Sequence, residues 1–256
     1  MRSATAFATL GVLGLLVFKA AAAGGENMTW RVEGQTRRAI VYAPSRGNGK
    51  APLIFSFHGA GDDVENFQYT GIHRAYSEAI VVYFQGAARQ GSGFPGWQTE
   101  KGQDNDRDLK LVDAALASLR EKFKVDDTRV YATGFSNGAG LTYLLWAERP
   151  NVFAAYAPVA ARLRPSVLPT QPKPLFHIAG TRDPQIVFSA QKEAMETAMK
   201  VDGVVGKGSS CGDGCTVYGK STATPVMTWI HEGGHVWPDS TSDRIAKFFR
   251  DHPLKP

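Results

Sequence analysis

Ser136 stands in Gly134-Phe-Ser-Asn-Gly138, between a β-branched run at residues 129–133 and an apolar helical pattern at residues 139–148. A strand, a sharp turn at serine and a helix make this spacing a nucleophile elbow. The glycines two places to either side remove Cβ clashes from a strained turn and leave the Ser136 hydroxyl reachable at the edge of a sheet. A serine hydroxyl is a weak nucleophile near neutral pH, so it needs a base, itself oriented by a carboxylate. Asp183, in Ala179-Gly-Thr-Arg-Asp-Pro184, and His235, in Glu232-Gly-Gly-His-Val-Trp-Pro238, follow the serine in the order acid then histidine, each just past an apolar strand-like run.

Rival residues fit less well. Asp202 and Asp213 fall in a later Gly-rich segment, and Asp239 follows the histidine. His231 and His177 sit within or at the end of strand-like runs, where a satisfied core histidine is the ordinary explanation. His58 precedes the serine and belongs to His58-Gly-Ala-Gly61, a Gly-rich turn after the apolar run 53–57. Such a turn offers a backbone N–H to an oxyanion, together with the N–H of the residue after the nucleophile. The expected donors are Ala60 and Asn137.

The elements that must position these groups alternate short β-rich runs with longer helical patterns, which predicts an α/β protein with a mostly parallel central sheet flanked by helices. Residues 30–32 and 39–42 read as an antiparallel lead-in pair, and 53–57, 80–84, 130–133, 154–159, 175–178 and 226–230 as later strands. Helices are expected at 67–78, 107–123, 138–148, 189–200 and 242–251. The clearest is the second, where Leu109, Val112, Leu116, Leu119 and Phe123 recur at three- and four-residue steps. Segments 85–106 and 201–221 read as long loops, of the kind that carry function at a sheet edge. Trp97 in the first loop and Trp237 beside His235 could floor an aromatic or sugar-bearing pocket or pack within the loops.

With 256 residues, 43% hydrophobic and 21% charged, the chain can bury one substantial core. Residues 1–23 read as a secretory signal peptide: Arg2 leads into an apolar stretch at 7–18, too short to span a bilayer, and an alanine run that fits cleavage after Ala23. Residues 24–256 are then one catalytic domain of a secreted protein, extracellular or periplasmic, without a stable membrane anchor. The formal charge of +5 loses Arg2 and Lys19 with the leader. The remaining basic residues are scattered, which argues against nucleic acid as a partner. Cys211 and Cys215, spaced by Gly-Asp-Gly, favour a local disulfide over metal, since a zinc site would need two further ligands nearby. Asn27-Met28-Thr29 matches a glycosylation acceptor.

The motifs together resemble the secreted esterases of the polyhydroxybutyrate depolymerase and feruloyl or acetylxylan esterase type within the α/β-hydrolase fold. The resemblance runs from about residue 38 to about residue 249. It rests on Phe57-His-Gly-Ala-Gly61, Gly96-Trp97, the helix start at 104–111, Gly134-Phe-Ser-Asn-Gly138, Gly180-Thr-Arg-Asp183 and Gly233-Gly-His-Val-Trp-Pro238. It implies carboxylic ester hydrolysis with no metal or organic cofactor and with Ser136, Asp183 and His235 as a triad. The chain lacks the extra disulfides, linker and binding domain of many extracellular polyester depolymerases. That favours feruloyl, acetyl or other small esters, including those linked to plant polysaccharide, over a polyhydroxyalkanoate polymer. An acyltransferase or serine peptidase of the same fold, and an inactive binding protein on the same scaffold, are the rival readings.

Overall fold

The computed structural model describes residues 24–45, 49–89 and 91–254. The expected leader lies outside the described residues. The first two strands, β1 (Glu26–Val32) and β2 (Gln35–Tyr42), form an antiparallel hairpin. Its turn residues, Glu33 and Gly34, have φ of 48° and 74°, a pair of positive angles that matches the twist of the flanking strands. There follow β3 (Ala51–Phe57), the short helices α1 (Val64–Phe67) and α2 (Ile72–Ala75), β4 (Ile80–Phe84), and a two-stranded ribbon of β5 (Ala87–Ala88) and β6 (Pro95–Gly96). Helix α3 (Arg107–Lys122) leads to β7 (Val125–Phe135), α4 (Asn137–Glu148), β8 (Ala155–Val159), β9 (Leu175–Gly180) and α5 (Phe188–Val201). The hairpin β10 (Ser209–Gly212) and β11 (Cys215–Tyr218), then β12 (Val226–His231) and α6 (Thr241–Asp251), complete the chain.

The main sheet has the order β1-β2-β4-β3-β7-β8-β9-β12-β11-β10. Strands β4, β3, β7, β8, β9 and β12 run parallel, and antiparallel pairs form both margins. This is the α/β class the sequence predicts. Alternate residues of each strand enter opposite layers: Leu53, Phe55 and Phe57 of β3 meet Leu116, Leu144 and Ala194 of α3, α4 and α5, whereas Ile54 joins Val64, Ile72 and Phe249 of α1, α2 and α6. Each fully buried Leu, Ile or Phe contributes roughly 1.5–3 kcal/mol.

Two expectations need correction. The helix expected at 67–78 is two short helices bridged by a 3-10 turn (Gln68–Thr70), because Gly71 takes a left-handed φ of 71° that no continuous right-handed helix accommodates. The segment expected as a loop at 201–221 contains the hairpin β10–β11, which extends the sheet by two strands. Ser, Gly and Cys carry little strand propensity. The pairing is supported by a disulfide between Cys211 and Cys215, whose Cα atoms lie 5.0 Å apart.

Candidate active site

Strand β7 delivers Ser136 into a turn with φ 53° and ψ −114°, a conformation that costs a non-glycine residue of order 1–3 kcal/mol and persists only where its surroundings enforce it. They do so here. The Ser136 N–H donates to Val159 O at 2.9 Å, and Gly140 N–H donates to Ser136 O at 3.0 Å. A Cβ on Gly134 would lie 2.5 Å from the Gly138 carbonyl, and one on Gly138 would lie 2.2 Å from Phe57 O. The elbow glycines thus let β7, α4 and the end of β3 approach at backbone contact.

Asp183 and His235 meet beside this turn. His235 Nδ1 donates to Asp183 Oδ2 at 2.7 Å, and both side chains are nearly or fully out of solvent. The carboxylate takes three more donors: Gln185 N–H (2.8 Å) and Ile186 N–H (2.9 Å) on Oδ1, and Gln191 Nε2 (3.1 Å) on Oδ2. With Nδ1 committed to the acid, the free nitrogen of His235 is Nε2. The ring packs on Phe135, the neighbour of Ser136, with centroids 4.8 Å apart. Among the described residues no hydrogen bond joins Ser136 Oγ to His235.

His231 is placed otherwise. Its Nδ1 accepts from Gly233 N–H at 3.0 Å, and burial lowers its pKa against the opposing charge of Asp183. His177 is wholly buried with Nδ1 2.6 Å from Tyr143 Oη, and burial pushes its pKa down to about 4. Gly234 has room around it, but Gly180 does not: a Cβ there would lie 2.5 Å from Gly234 O, so a glycine lets the acid and histidine loops run side by side.

The opposite flank of Ser136 is built from backbone. A Cβ on Gly59 would stand 3.7 Å from Ser136 Cβ and 3.1 Å from the Phe135 ring, so the turn containing Ala60 abuts the serine. Asn137 opens α4, where the first N–H groups have no partner within the helix. The imidazole of His58 fixes the turn: Nδ1 donates to Gly59 O at 2.6 Å and Nε2 accepts from Gly86 N–H at 2.8 Å. That assignment fits a neutral ring, and burial lowers its pKa.

The segment 85–106 is held to this flank by buried polar contacts. The Asn137 side chain accepts from Trp97 N–H (2.7 Å) and donates to Trp97 O (3.1 Å). Trp97 Nε1 donates to His58 O at 2.8 Å. Gln98 exchanges bonds with Asp108 at the start of α3, and Asp108 binds Arg37 at 2.8 Å. The side-chain roles of Asn137, His58, Gln98, Asp108 and Arg37 escape sequence reasoning, because their partners lie far along the chain. A partial signal exists in Asp108, a carboxylate within the motif at 104–111.

The expectation that Trp97 floors a substrate pocket is corrected. Its side chain is 0% exposed, packed edge-on to Phe57 at 5.2 Å and beneath Arg37 at 5.9 Å, and presents no face to a ligand. Trp237 is half-buried, edge-on to Phe67, and lines a cleft of about 330 Å³ with Tyr69, Arg74 and Ser240 beside the His235 loop. Among the described residues no helix is long and apolar enough to cross a membrane, and no group of three or more His, Cys, Asp or Glu is placed to hold a metal.

Comparison with solved structures gives the class. An acetyl xylan esterase from Aspergillus awamori superposes with a TM-score of 0.68 at 14% identity, covering 88% of this chain and 99% of that one, and the shared fold is that of the α/β-hydrolases. No protein-family model matches the sequence. "Putative esterase NocK" of Nocardia uniformis subsp. tsuyamanensis is 30% identical over 254 residues, covering 82% of this chain and 73% of its own length. The "Bifunctional acetylxylan esterase/xylanase XynS20E" of Neocallimastix patriciarum is 32% identical over 160 residues, 60% of this chain, and the match spans only 22% of that protein. The chain belongs to the polyhydroxybutyrate depolymerase and feruloyl or acetylxylan esterase family, carboxylic ester hydrolases of the α/β-hydrolase fold.

Proposed function

We propose that this chain is an exported serine esterase that cleaves acetyl, feruloyl or other small esters, including those carried on plant polysaccharide, through an acyl-enzyme on Ser136. The 2.7 Å bond between Asp183 and His235 beside the strained serine turn is the observation that carries this reading. His235 Nε2 takes the Ser136 proton as Oγ bonds to the ester carbonyl. The tetrahedral oxyanion is met by the N–H groups of Ala60 and Asn137. Its collapse breaks the bond to the alcohol oxygen, which leaves with the proton from His235. Water then repeats the sequence with its proton passed to the same nitrogen, releasing the acid and restoring Ser136. Asp183 holds the ring in the tautomer that leaves Nε2 free and stabilises the imidazolium that forms.

The substrate class draws on the relatives, one of which carries acetylxylan esterase in its name, and export draws on the leader-like residues 1–23. Since Trp97 is enclosed, a planar acyl group gains no stacking partner from that side chain. Turnover of short nitrophenyl esters, methyl ferulate, acetylated xylan, polyhydroxybutyrate and a peptide anilide, with labelling of Ser136 by a fluorophosphonate, tests the proposal. Labelling with ester turnover is expected. Anilide cleavage without ester cleavage, or a label on another residue, would overturn it.

A further inference from the structure

Behind the pair of Asp183 and His235 lies a line of buried polar groups that the reaction itself does not use. Gln191, on α5, is fully buried, and spends both amide hydrogens, one on Asp183 Oδ2 at 3.1 Å and one on Ile186 O at 2.7 Å. Its Oε1 and His177 Nε2, on β9, are both buried, and neither has a hydrogen-bond partner among the described residues, an acceptor and a nitrogen left over in one core. The Gln191 side chain also opposes the burial-driven fall in His177 basicity. His177 Nδ1 lies 2.6 Å from Tyr143 Oη on α4, itself fully buried.

The direction of this line follows from its far end. Burial raises the Tyr143 pKa well beyond its ordinary value, so the phenol keeps its proton and donates to His177 Nδ1. The neutral imidazole then carries its hydrogen on Nε2, a donor of the kind that Gln191 Oε1 lacks. The two bonds made by Nε2 set which way the Gln191 amide faces, and a pairing of Oε1 with the His177 Nε2–H would hold it there: flipped, it would set Oε1 against the carboxylate and leave Asp183 Oδ2 with His235 alone. We propose that Gln191, oriented by His177 and Tyr143, is a positioning residue that fixes Asp183 Oδ2 for His235. The proposal rests on the reading of Asp183 as the triad acid. A helix register of Gln191, Ala194, Met195 and Ala198 buries one amide among apolar neighbours, and three hydrocarbon side chains would fill the same space without leaving polar groups to satisfy.

The test compares Gln191→Met, which keeps length and loses both donors, with Tyr143→Phe, which removes one hydroxyl at the far end, and with Asp183→Asn. Steady-state kinetics on a nitrophenyl ester, thermal unfolding, and the downfield proton resonance of the His235 Nδ1–H are measured for each. Gln191→Met is expected to lower kcat about tenfold with KM nearly unchanged, the scale of one hydrogen bond to a charged group, and to shift or broaden the resonance. Tyr143→Phe should move both readouts the same way by a smaller factor, and serves alone if Gln191→Met does not fold. Asp183→Asn abolishing turnover and resonance, while both other variants keep wild-type kcat and resonance, would overturn the relay and leave the acid in place. Wild-type turnover in Asp183→Asn would instead remove the reading on which the relay rests.

Discussion

The two flanks of Ser136 reach the same precision by opposite means. On the β9 and β12 side, in the proposed reaction, ionisable side chains do the chemistry and backbone amides hold them: Asp183 Oδ1 is clasped by Gln185 and Ile186 N–H, and Oδ2 faces His235. On the β3 side, the proposed oxyanion donors are backbone amides and side chains hold their turn, through His58, Asn137 and Trp97. Damage to the first flank therefore removes a proton carrier. Damage to the second moves a dipole that stays present, and a shift of about 1 Å costs roughly a hundredfold.

The largest effects should come from the serine and the acid–base flank. Ser136→Ala and His235→Ala are expected to lower kcat by about four to six decades, with Asp183→Asn somewhat milder, and with thermal unfolding little changed. Ester kinetics and calorimetry on the same samples check this, and comparable activity in His235→Ala and wild type would point to His231.

Asn137→Ala should come next. It keeps the backbone N–H at the head of α4 but cuts both bonds to Trp97, so kcat should drop about a hundredfold while fluorophosphonate still labels Ser136. Loss of labelling as severe as in Ser136→Ala would erase the distinction between the flanks.

A smaller effect is expected from Trp97→Phe, which retains a ring in the core and removes the Nε1–H bond to His58 O. It should destabilise the fold by about 1 kcal/mol, and lower kcat/KM by the same factor for nitrophenyl acetate and methyl ferulate. A selective loss on ferulate would mean that the ring touches the acyl group after all.

The smallest effect on turnover should come from Asp202, away from both flanks. Burial raises its pKa from 3.8 to about 7, although its Oδ1 accepts from Lys173 N–H. The folded state thus holds a proton that the unfolded state releases above 3.8, and the stability this provides is lost as pH rises from about 4 to about 7. Asp202→Asn should raise Tm by about 3 °C at pH 8, shift it little at pH 4, and leave kcat unchanged. An equal change of Tm at both pH values would contradict the linkage.

The residues singled out in the sequence lie at the ends of apolar strands, where a change from period-two alternation to glycine and polar residues exposes them: Ser136 after β7, Asp183 after β9, His235 after β12. The parallel core was legible for the same reason. What supports these groups was not. Arg37 meets Asp108 across 71 positions and Asn137 meets Trp97 across 40, and no local pattern encodes such pairings. The break at Gly71 depends on a backbone angle, and the β10–β11 hairpin is written in residues that ordinarily signal a turn. Trp97 shows the limit most plainly, since segment 85–106 read as a long loop that left its ring free to line a pocket or to pack, whereas the ring closes the core.

The hairpin also bears on how the molecule behaves among copies of itself. A ten-stranded sheet has two margins, and an unpaired margin is a template for another chain. At one end β1 is overlain by α3, with Trp30 Nε1 bonded to Ser118 Oγ, and fringed by the ion pair of Lys122 and Glu26. At the other, β10 is four residues long, wholly exposed, and tethered at Cys211 to its own partner strand. Short, polar and covalently closed, that border offers little length for intermolecular zippering, so cutting the cross-link should show itself first as a tendency to aggregate on storage, ahead of any decline in catalysis.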